Sequence, residues 1–242
     1  MKKYFVLYFF LSVLPIITMA EDVLKGGMNK MEAVGNITFA DTDVKALCVA
    51  NWDTNGDGEL SYNEASAVTG LGSVFQGNIM ITTFNELEYF TGLTTINANA
   101  FAGCVRLTSV TIPNNVTTIE HNAFNGTKLA SIDIPANVTT IGNAAFNWCS
   151  NLTSVSLHYG LTSIGHSAFA NCSSLTNITI PSGITSIGNE VFVGCSNLTS
   201  VALPQSLSSI GEKAFKDCSK LNSIIIPNNV SYIGPAAFQY CI

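Results

Sequence analysis

Charge is what this sequence has least of. Asp, Glu, Lys and Arg together make up 11% of its 242 residues, against about a quarter in an ordinary soluble domain. Arg106 is the single arginine, and ten basic against sixteen acidic residues leave a net charge of −6. A nucleic-acid groove needs clustered Lys and Arg, so the composition argues against that partner. Histidine is nearly as rare. His121, His158 and His166 are the only three, no acid or nucleophile stands at a recognised catalytic spacing from them, and they read as exposed loop residues. Serine is abundant but never in a G-x-S-x-G elbow. Nothing here points to an enzyme. The shortage of charge does not mean disorder either, because 47% hydrophobic and 10% aromatic residues can build a core. The surface must then be made of Ser, Thr and Asn.

Long apolar runs are also lacking, with one exception. Residues 1–20, MKKYFVLYFFLSVLPIITMA, place Lys2 and Lys3 before an apolar stretch Tyr4–Ile17 and end in Thr18-Met19-Ala20 ahead of Glu21. This is the layout of a signal peptide; a run broken by Pro15 is short for a membrane span. Residues 21–38 read as a linker. The expectation is a chain exported through a cleaved bacterial signal, secreted or at the cell surface, with no membrane span in its mature part. No cysteine follows the apolar run, which argues against a lipid anchor.

What the sequence does have is a period. Phe101, Phe124, Phe146, Phe169, Phe192, Phe215 and Phe238 are spaced by 23, 22, 23, 23, 23 and 23 residues, the mark of a repeat array. Each unit follows L-x-x-V-x-I-P-x-x-V-x-x-I-G-x-x-A-F-x-x-C, and Phe84–Arg106 fits as an aromatic first unit with Phe84, Leu87 and Tyr89 in its early apolar slots. Val110 and Ile112, two apart, predict a strand with both side chains facing inward. Pro113 suits the strand end, and Val116 and Ile119 are further inward anchors. Gly142, Gly165, Gly188, Gly211 and Gly234 fall where the chain is expected to turn, and Ala-Phe pairs suit a short helical or 3₁₀ turn that drops a ring into the core. One unit cannot bury its face alone. Coils stacked at about 4.8 Å would form a parallel sheet on one side and superimpose like residues. Residues 84–242 are therefore expected to be an α/β repeat solenoid of about seven coils, roughly 30 Å long at that spacing.

The phrases LTSVTIPNNVTTI, LTNITIPSGITSIGNEVFVGCSN and LSSIGEKAFKDCSK resemble the 23-residue leucine-rich repeats of BspA-like bacterial surface proteins. The resemblance covers Phe84–Ile242, and Ile37–Gly92 looks like the segment that precedes such repeats in some members. It implies a right-handed solenoid and a role as an adhesin or host-interaction protein. His158 in place of proline, Glu120 of glycine, Val191 of alanine and Thr127 of cysteine depart from the pattern. The array stops inside its last unit without a polar cap, which predicts a natural protein that continues beyond Ile242.

Residues 39–83 form a different segment. Asp53, Asn55 and Asp57 hold positions 1, 3 and 5 of a twelve-residue calcium loop. Gly58 allows its sharp turn, Glu59 offers a backbone carbonyl, Ser61 can hold a water and Glu64 can bind bidentately. Leu60 is the loop's packing residue. Asp43–Trp52 predicts the entering helix, capped by Asp41 or Thr42 with Val44, Leu47 and Cys48 on one face, and Tyr62–Val68 the exit helix. Sensors and dockerin-like docking modules carry two loops, and this segment has one. A single structural Ca²⁺ in an EF-hand-like collar over the first coil is the reading preferred, with dockerin-like docking as an alternative.

Seven cysteines in an exported chain raise the question of disulfides. Five of them, Cys149 to Cys241, fall 23 apart, and stacked residues have parallel Cβ vectors, poor geometry for a bridge. They are expected to be buried free thiols. The outward strand columns, which include Thr111, Asp133, Ser156 and Thr179, form a small, polar, nearly uncharged face. Two readings remain open for it: a binding surface for an extracellular protein or glycan, or the plain surface of a structural spacer in a longer surface protein. The first predicts a contiguous sector of exposed aromatics, for which Tyr159, Tyr232 and Tyr240 are the candidates. The chain is expected to be a monomer or part of such a longer protein.

Overall fold

The computed structural model of the protein describes residues 35–241. The expected signal peptide, residues 21–34 of the expected linker and Ile242 lie outside the described residues.

Helix α1 (Thr42–Trp52) opens the expected module. Asp41 caps it, its Oδ1 accepting from the Asp43 and Val44 amides at 2.9 and 3.2 Å. Val44 and Cys48 are buried on one face with Leu47 partly buried beside them. A short second helix α2 (Tyr62–Ala67) starts with a reciprocal capping box between Ser61 and Glu64. The chain between the helices is closed by an antiparallel bridge: the Ile37 amide donates to the Leu60 carbonyl at 2.8 Å and the Tyr62 amide to that of Gly35 at 3.2 Å. Residues 35–37, placed in the linker by the sequence, are thus paired, and Ile37 is buried.

The coils follow. Their first strands are β1 (Thr83–Phe84), with a 3₁₀ turn Asn85–Tyr89 after it, then β3 (Ser109–Val110), β5 (Ser131–Asp133), β7 (Ser154–Ser156), β9 (Asn177–Thr179) and β11 (Ser200–Ala202). Their second strands are β2 (Thr95–Ile96), β4 (Thr118–Ile119), β6 (Thr140–Ile141), β8 (Ser163–Ile164), β10 (Ser186–Ile187), β12 (Ser209–Ile210) and β13 (Tyr232–Ile233). Like pairs with like in parallel, in register, so Ile119 stands between Ile96 and Ile141. The fold is the expected parallel-strand repeat solenoid, but with two ladders per coil where the sequence predicted a sheet on one side only. The first ladder is made of pairs, β1–β3, β5–β7 and β9–β11; the second runs β2–β4–β6–β8 and then β10–β12–β13. The Ser223–Ile225 stretch forms no strand.

No helix forms at the Ala-Phe turns, contrary to expectation. The residue two before each repeat Phe, Asn99 to Ala236, and the residue two after it, Gly103 to Tyr240, are left-handed, with φ between 53° and 75°. This alternation turns every second amide toward the next coil. Ala144, Phe146 and Trp148 donate to the carbonyls of His166, Ala168 and Ala170 at 2.8–2.9 Å. The phenylalanines stack behind this ladder, with centroids 5.2–5.8 Å apart and planes within 13° from Phe101 to Phe238.

The glycine column has another cause than turning. Gly142, Gly165, Gly211 and Gly234 are not left-handed. A Cβ on Gly142 would lie 2.6 Å from the His121 nitrogen of the coil before, and one on Gly165 would lie 2.5 Å from that of Asn143. Close approach of coils excludes a side chain there.

The stack also begins earlier than the sequence suggested. Phe75 lies 5.3 Å from Phe101 at 20°, and Trp52 packs on Phe75 and Phe90 at 6.1 and 5.5 Å. Phe90 is buried, while Tyr89, assigned that slot from the sequence, is half exposed and meets Tyr62 edge-on at 4.9 Å. One continuous apolar core therefore joins the α1–α2 module to the coils.

Candidate functional site

The loop Asp53–Glu64 is wound by its own side chains. The two carboxylate oxygens of Asp53 accept from the Gly56 and Gly58 amides at 2.7 and 2.9 Å, and both glycines are left-handed, at φ 75° and 81°. Asn55 Oδ1 accepts from the Asp57 amide and Asp57 Oδ1 from that of Glu59, both at 2.8 Å. Glu64 reaches back across the loop. Its Oε1 accepts from the Thr54 amide and hydroxyl at 2.8 and 2.9 Å, and its Oε2 from the Ser61 amide and hydroxyl at 2.9 and 2.8 Å. Hydrogen bonds from the Ser61 amide and hydroxyl, with further ones from Thr54, lower its pKa to about 2. Glu59, whose backbone carbonyl is the expected ligand, turns its side chain outward to Lys45 Nζ at 2.6 Å. All the expected ligands are thus oxygen donors on one curled loop, the type a hard divalent cation takes. Among the described residues, however, no three His, Cys, Asp or Glu side chains are gathered closely enough to enclose an ion.

Asp41 joins this module to the array. Besides capping α1, it accepts through Oδ2 from the Thr82 amide and hydroxyl, both at 2.7 Å. Burial pushes its pKa up, but these hydrogen bonds outweigh burial and leave it below the ordinary value.

On the outward face of the first ladder, Thr111, Asp133, Ser156 and Thr179 are all exposed, as the two-residue period requires. Asp133 pairs with Ser156 across β5 and β7, and Thr179 with Ala202 across β9 and β11. The structure adds a residue that the sequence reading set aside. His158, read as an unaccompanied loop histidine, places Nε2 3.2 Å from Asp133 Oδ1. The two are 25 positions apart, one coil plus two residues, so no sequence-local pattern links them. Tyr159 beside it is 82% exposed. His166, by contrast, is part of the framework: its Nδ1 accepts from the Asn189 amide at 3.2 Å.

The aromatics do not gather into one sector. Tyr159 follows β7, Tyr232 lies on β13, and Tyr240 stands in the column two residues after the repeat Phe, so the three occupy different sides of the coil. Trp148, not among the sequence candidates, is 59% exposed in the same column as Tyr240. Beside β11 a shallow recess of about 420 Å³ is lined by Val201, Leu203, Gln205 and Ile225 among others.

The cysteines are unpaired, as expected. In successive coils Cys172, Cys195, Cys218 and Cys241 donate Sγ–H to the carbonyl of the preceding coil's Phe at 3.1–3.2 Å. Burial pushes Cys149 up to about 11 and Cys195 to about 12. Thr127, in the cysteine slot, donates to the Phe124 carbonyl at 3.0 Å and lies 3.2 Å from Cys149 Sγ.

None of the helices among the described residues is long and apolar enough to cross a membrane. No curated protein matches the chain. Several solved structures resemble it, among them two bacterial leucine-rich repeat proteins. One is a leucine-rich repeat protein from Eubacterium ventriosum, 32% identical over 67% of this chain and 44% of its own, with a TM-score of 0.61. The other is a leucine-rich repeat protein from Bacteroides ovatus, 26% identical over 73% of this chain and 50% of its own, with a TM-score of 0.60. The chain spans half or less of the length of these relatives. The sequence pattern described as the BspA type leucine rich repeat region matches residues 74–198 and 162–242, in six copies. The first stretch begins just before Phe75, where the ring stack begins. The chain belongs to the BspA-type leucine-rich repeat family.

Proposed function

We propose that the protein is an exported, noncatalytic binding protein of the bacterial cell surface, of the adhesin or host-interaction type. Its coils would present the outward face of the first ladder to an extracellular protein or glycan. The observation that carries this reading is the meeting of Asp133, His158 and Tyr159. On a face whose other members are Ser, Thr and Asn except for Ala202 and Ile225, an acid, an imidazole and an 82% exposed phenol stand together, two of them where most coils have proline and a small polar residue. Thr111, Ser156 and Thr179 extend the surface on either side. A screen of the purified chain against glycan and matrix-protein arrays tests it. A bound ligand that is lost when Asp133, His158 and Tyr159 are all changed to alanine supports the reading. No ligand on either array would favour a structural spacer, the reading to which the scattering of Tyr159, Tyr232 and Tyr240 lends weight.

The loop Asp53–Glu64 is in our reading the site of one structural calcium ion. Asp53, Asn55, Asp57 and Glu64 would hold it through side chains, Glu59 through its carbonyl and Ser61 through a water. The ion supplies positive charge that ties the two ends of the loop. Glu64 must exchange its bonds to Thr54 and Ser61 for that contact, which suits the weak range of extracellular modules, about 10⁻⁴–10⁻³ M. At free calcium one hundred times the dissociation constant the folded chain gains about 2.7 kcal/mol. Identical melting curves in calcium and in EDTA would remove the ion from this account. A dockerin-like docking role rests on the same loop and has only one copy to rest on.

A further inference from the structure

Two residues after the repeat Phe, the coils carry Gly103, Gly126, Trp148, Asn171, Gly194, Asp217 and Tyr240, all with φ between 59° and 75°. Glycine, asparagine and aspartate tolerate this left-handed backbone; Trp148 and Tyr240 are its two bulky occupants, and of these Tyr240 lies under Lys216 Nζ, 5.7 Å from the ring centre. Trp148 holds the conformation at φ 60° with 59% of its surface in solvent. A bulky residue kept in a strained conformation without burial to compensate points to use of the side chain.

We propose that Trp148 and the amides around it form a platform for a neutral sugar ring, on a side of the coil other than the strand columns. The neighbours on either side leave the indole open. In the coil before, the same slot is Gly126, where even a Cβ would meet nothing within 4 Å. That coil is also the 22-residue one, a residue short between its Thr127 and Leu129, so the array is cut back next to the indole. In the coil after, the slot is Asn171, whose Nδ2 donates to Asn147 Oδ1 at 3.2 Å. Among the described residues no second aromatic ring and no cation packs on Trp148. The nearest coil's cation, Lys128, donates to Ser150 Oγ at 2.8 Å instead.

Those surroundings select the ligand class. The C–H face of a pyranose is apolar with slightly positive hydrogens, and it stacks on the electron-rich face of an indole. The ring's hydroxyls need short polar partners at the rim, which the Asn147 and Asn171 amides provide: the bond between them uses Asn171 Nδ2 and Asn147 Oδ1 and leaves Asn147 Nδ2 and Asn171 Oδ1 for a ligand. An acidic or sulfated sugar would need a cation directed at the ring, and Lys128, the cation of the adjoining coil, is turned to Ser150 Oγ instead. A protein hot spot would surround the indole with apolar side chains that shut out water; here the same slot is glycine in the coil before and an amide in the coil after. The inference shares the premise that the array is a binding surface, but not the strand-face site.

The test is a titration of the purified chain with neutral oligomers of glucose, mannose, galactose and N-acetylglucosamine, by calorimetry and by tryptophan emission. Trp52 is the only other tryptophan, so Trp52→Phe leaves Trp148 as sole reporter, while calorimetry on the unaltered chain guards against any effect of that change. At least one oligomer is expected to bind and shift the emission. Trp148→Asn, which places in the slot what the next coil already has, is expected to fold and to weaken that binding at least tenfold. The Asp133, His158 and Tyr159 alanine variant is expected to bind the oligomer as the parent does. No binding by any neutral oligomer, binding by acidic sugars alone, or affinity in Trp148→Asn within twofold of the parent overturns the proposal. So does a protein ligand that depends on Trp148 when no sugar does. Loss of sugar binding in the strand-face variant alone would place the sugar at that site and refute the platform while sparing the proposed function.

Discussion

The glycine column makes opposite predictions for one substitution at two equivalent positions. Replace Gly142 with alanine, and the new Cβ stands 2.6 Å from the His121 nitrogen and 2.7 Å from the Glu120 carbonyl carbon. Relief needs a shift of about 1 Å between two coils that the Gly142 amide binds to the Ile119 carbonyl at 2.7 Å. Overpacking of this kind costs about 1–3 kcal/mol, or about 2–4 °C of melting temperature per kcal/mol in a unit of this size. Replace Gly188 instead, and the Cβ meets His166 Nδ1 at 3.4 Å, Val191 Cγ2 at 3.6 Å and the Ile164 carbonyl oxygen at 3.7 Å, ordinary contacts. Its φ is not left-handed, so alanine there restricts the unfolded chain without strain and adds about 0.4–1 kcal/mol.

The difference has a visible cause. The second ladder is interrupted between β8 and β10, at the same junction where the phenylalanine stack is widest, 5.8 Å between Phe169 and Phe192. Val191, fully buried, is the one valine in a column of alanines, and its extra methyls hold these two coils apart. Thermal and urea denaturation of Gly142→Ala, Gly188→Ala and Gly188→Ala with Val191→Ala decide the matter. The first should melt lower than the parent and the second at or above it. In the third, with the junction free to close, the alanine should become destabilising relative to Val191→Ala alone. Equal losses in Gly142→Ala and Gly188→Ala would refute the argument that coil spacing, and not turn geometry, selects glycine.

Asp41→Ala removes the cap of α1 and leaves the Thr82 amide without its partner, so the chain should lose about 2–3 kcal/mol in urea denaturation. Glu64 has a folded pKa near 2 against an ordinary 4.5. Its contribution is therefore complete above about pH 4.5 and lost as the pH falls toward 2; in calcium-free buffer the melting temperature should drop through that window, and less steeply in Glu64→Gln. Asp41, also lowered, supplies the slope that remains. Cys149, Cys172 and Cys195, buried and raised in pKa, should resist a thiol reagent at pH 8 in the native chain. All seven cysteines should react in denaturant, and five or fewer would indicate a disulfide.

What the sequence made legible is whatever repeats or acts locally. The phenylalanine spacing marks the stack, Val110 and Ile112 mark the first strand by their two-residue period, and Asp41 marks the start of α1. The second ladder was hidden because Val116 and Ile119 are three apart, which breaks the alternation that announces a strand. Phe75 was hidden because 26 residues separate it from Phe101 and no leucine pattern leads into it. The Asp133–His158 pair exists only because one coil lies on the next, and its contact therefore needed the three-dimensional register. Trp148 is a different case. Counting two residues on from each Phe shows three glycines, an asparagine, an aspartate and two aromatics, Trp148 and Tyr240, so the signal is in the sequence. What sets Trp148 apart, a left-handed backbone with no partner for its ring among the described residues, is supplied by the structure.

In an array of near-identical coils, a departure from the pattern can be weighed by asking whether the substitute does the consensus residue's work. Thr127 does so in part: it stays buried and touches Cys149, but it donates to the Phe124 carbonyl of its own coil where a repeat cysteine donates to that of the coil before. Glu120 stands in a glycine slot and recovers a bond, its Oε2 accepting from the Ala98 amide at 2.7 Å. Val191 stays buried and is accommodated by a wider junction. These three change local geometry and leave nothing unused. Trp148 and the His158–Tyr159 pair differ in kind. Burial does not repay the left-handed conformation of the first, which costs about 1–2 kcal/mol in a residue that is not glycine, and Tyr159 leaves nearly all of its ring in water. By this difference the departures that fold the array separate from the two that our proposals assign to binding, and those two lie in neighbouring coils near the middle of the stack.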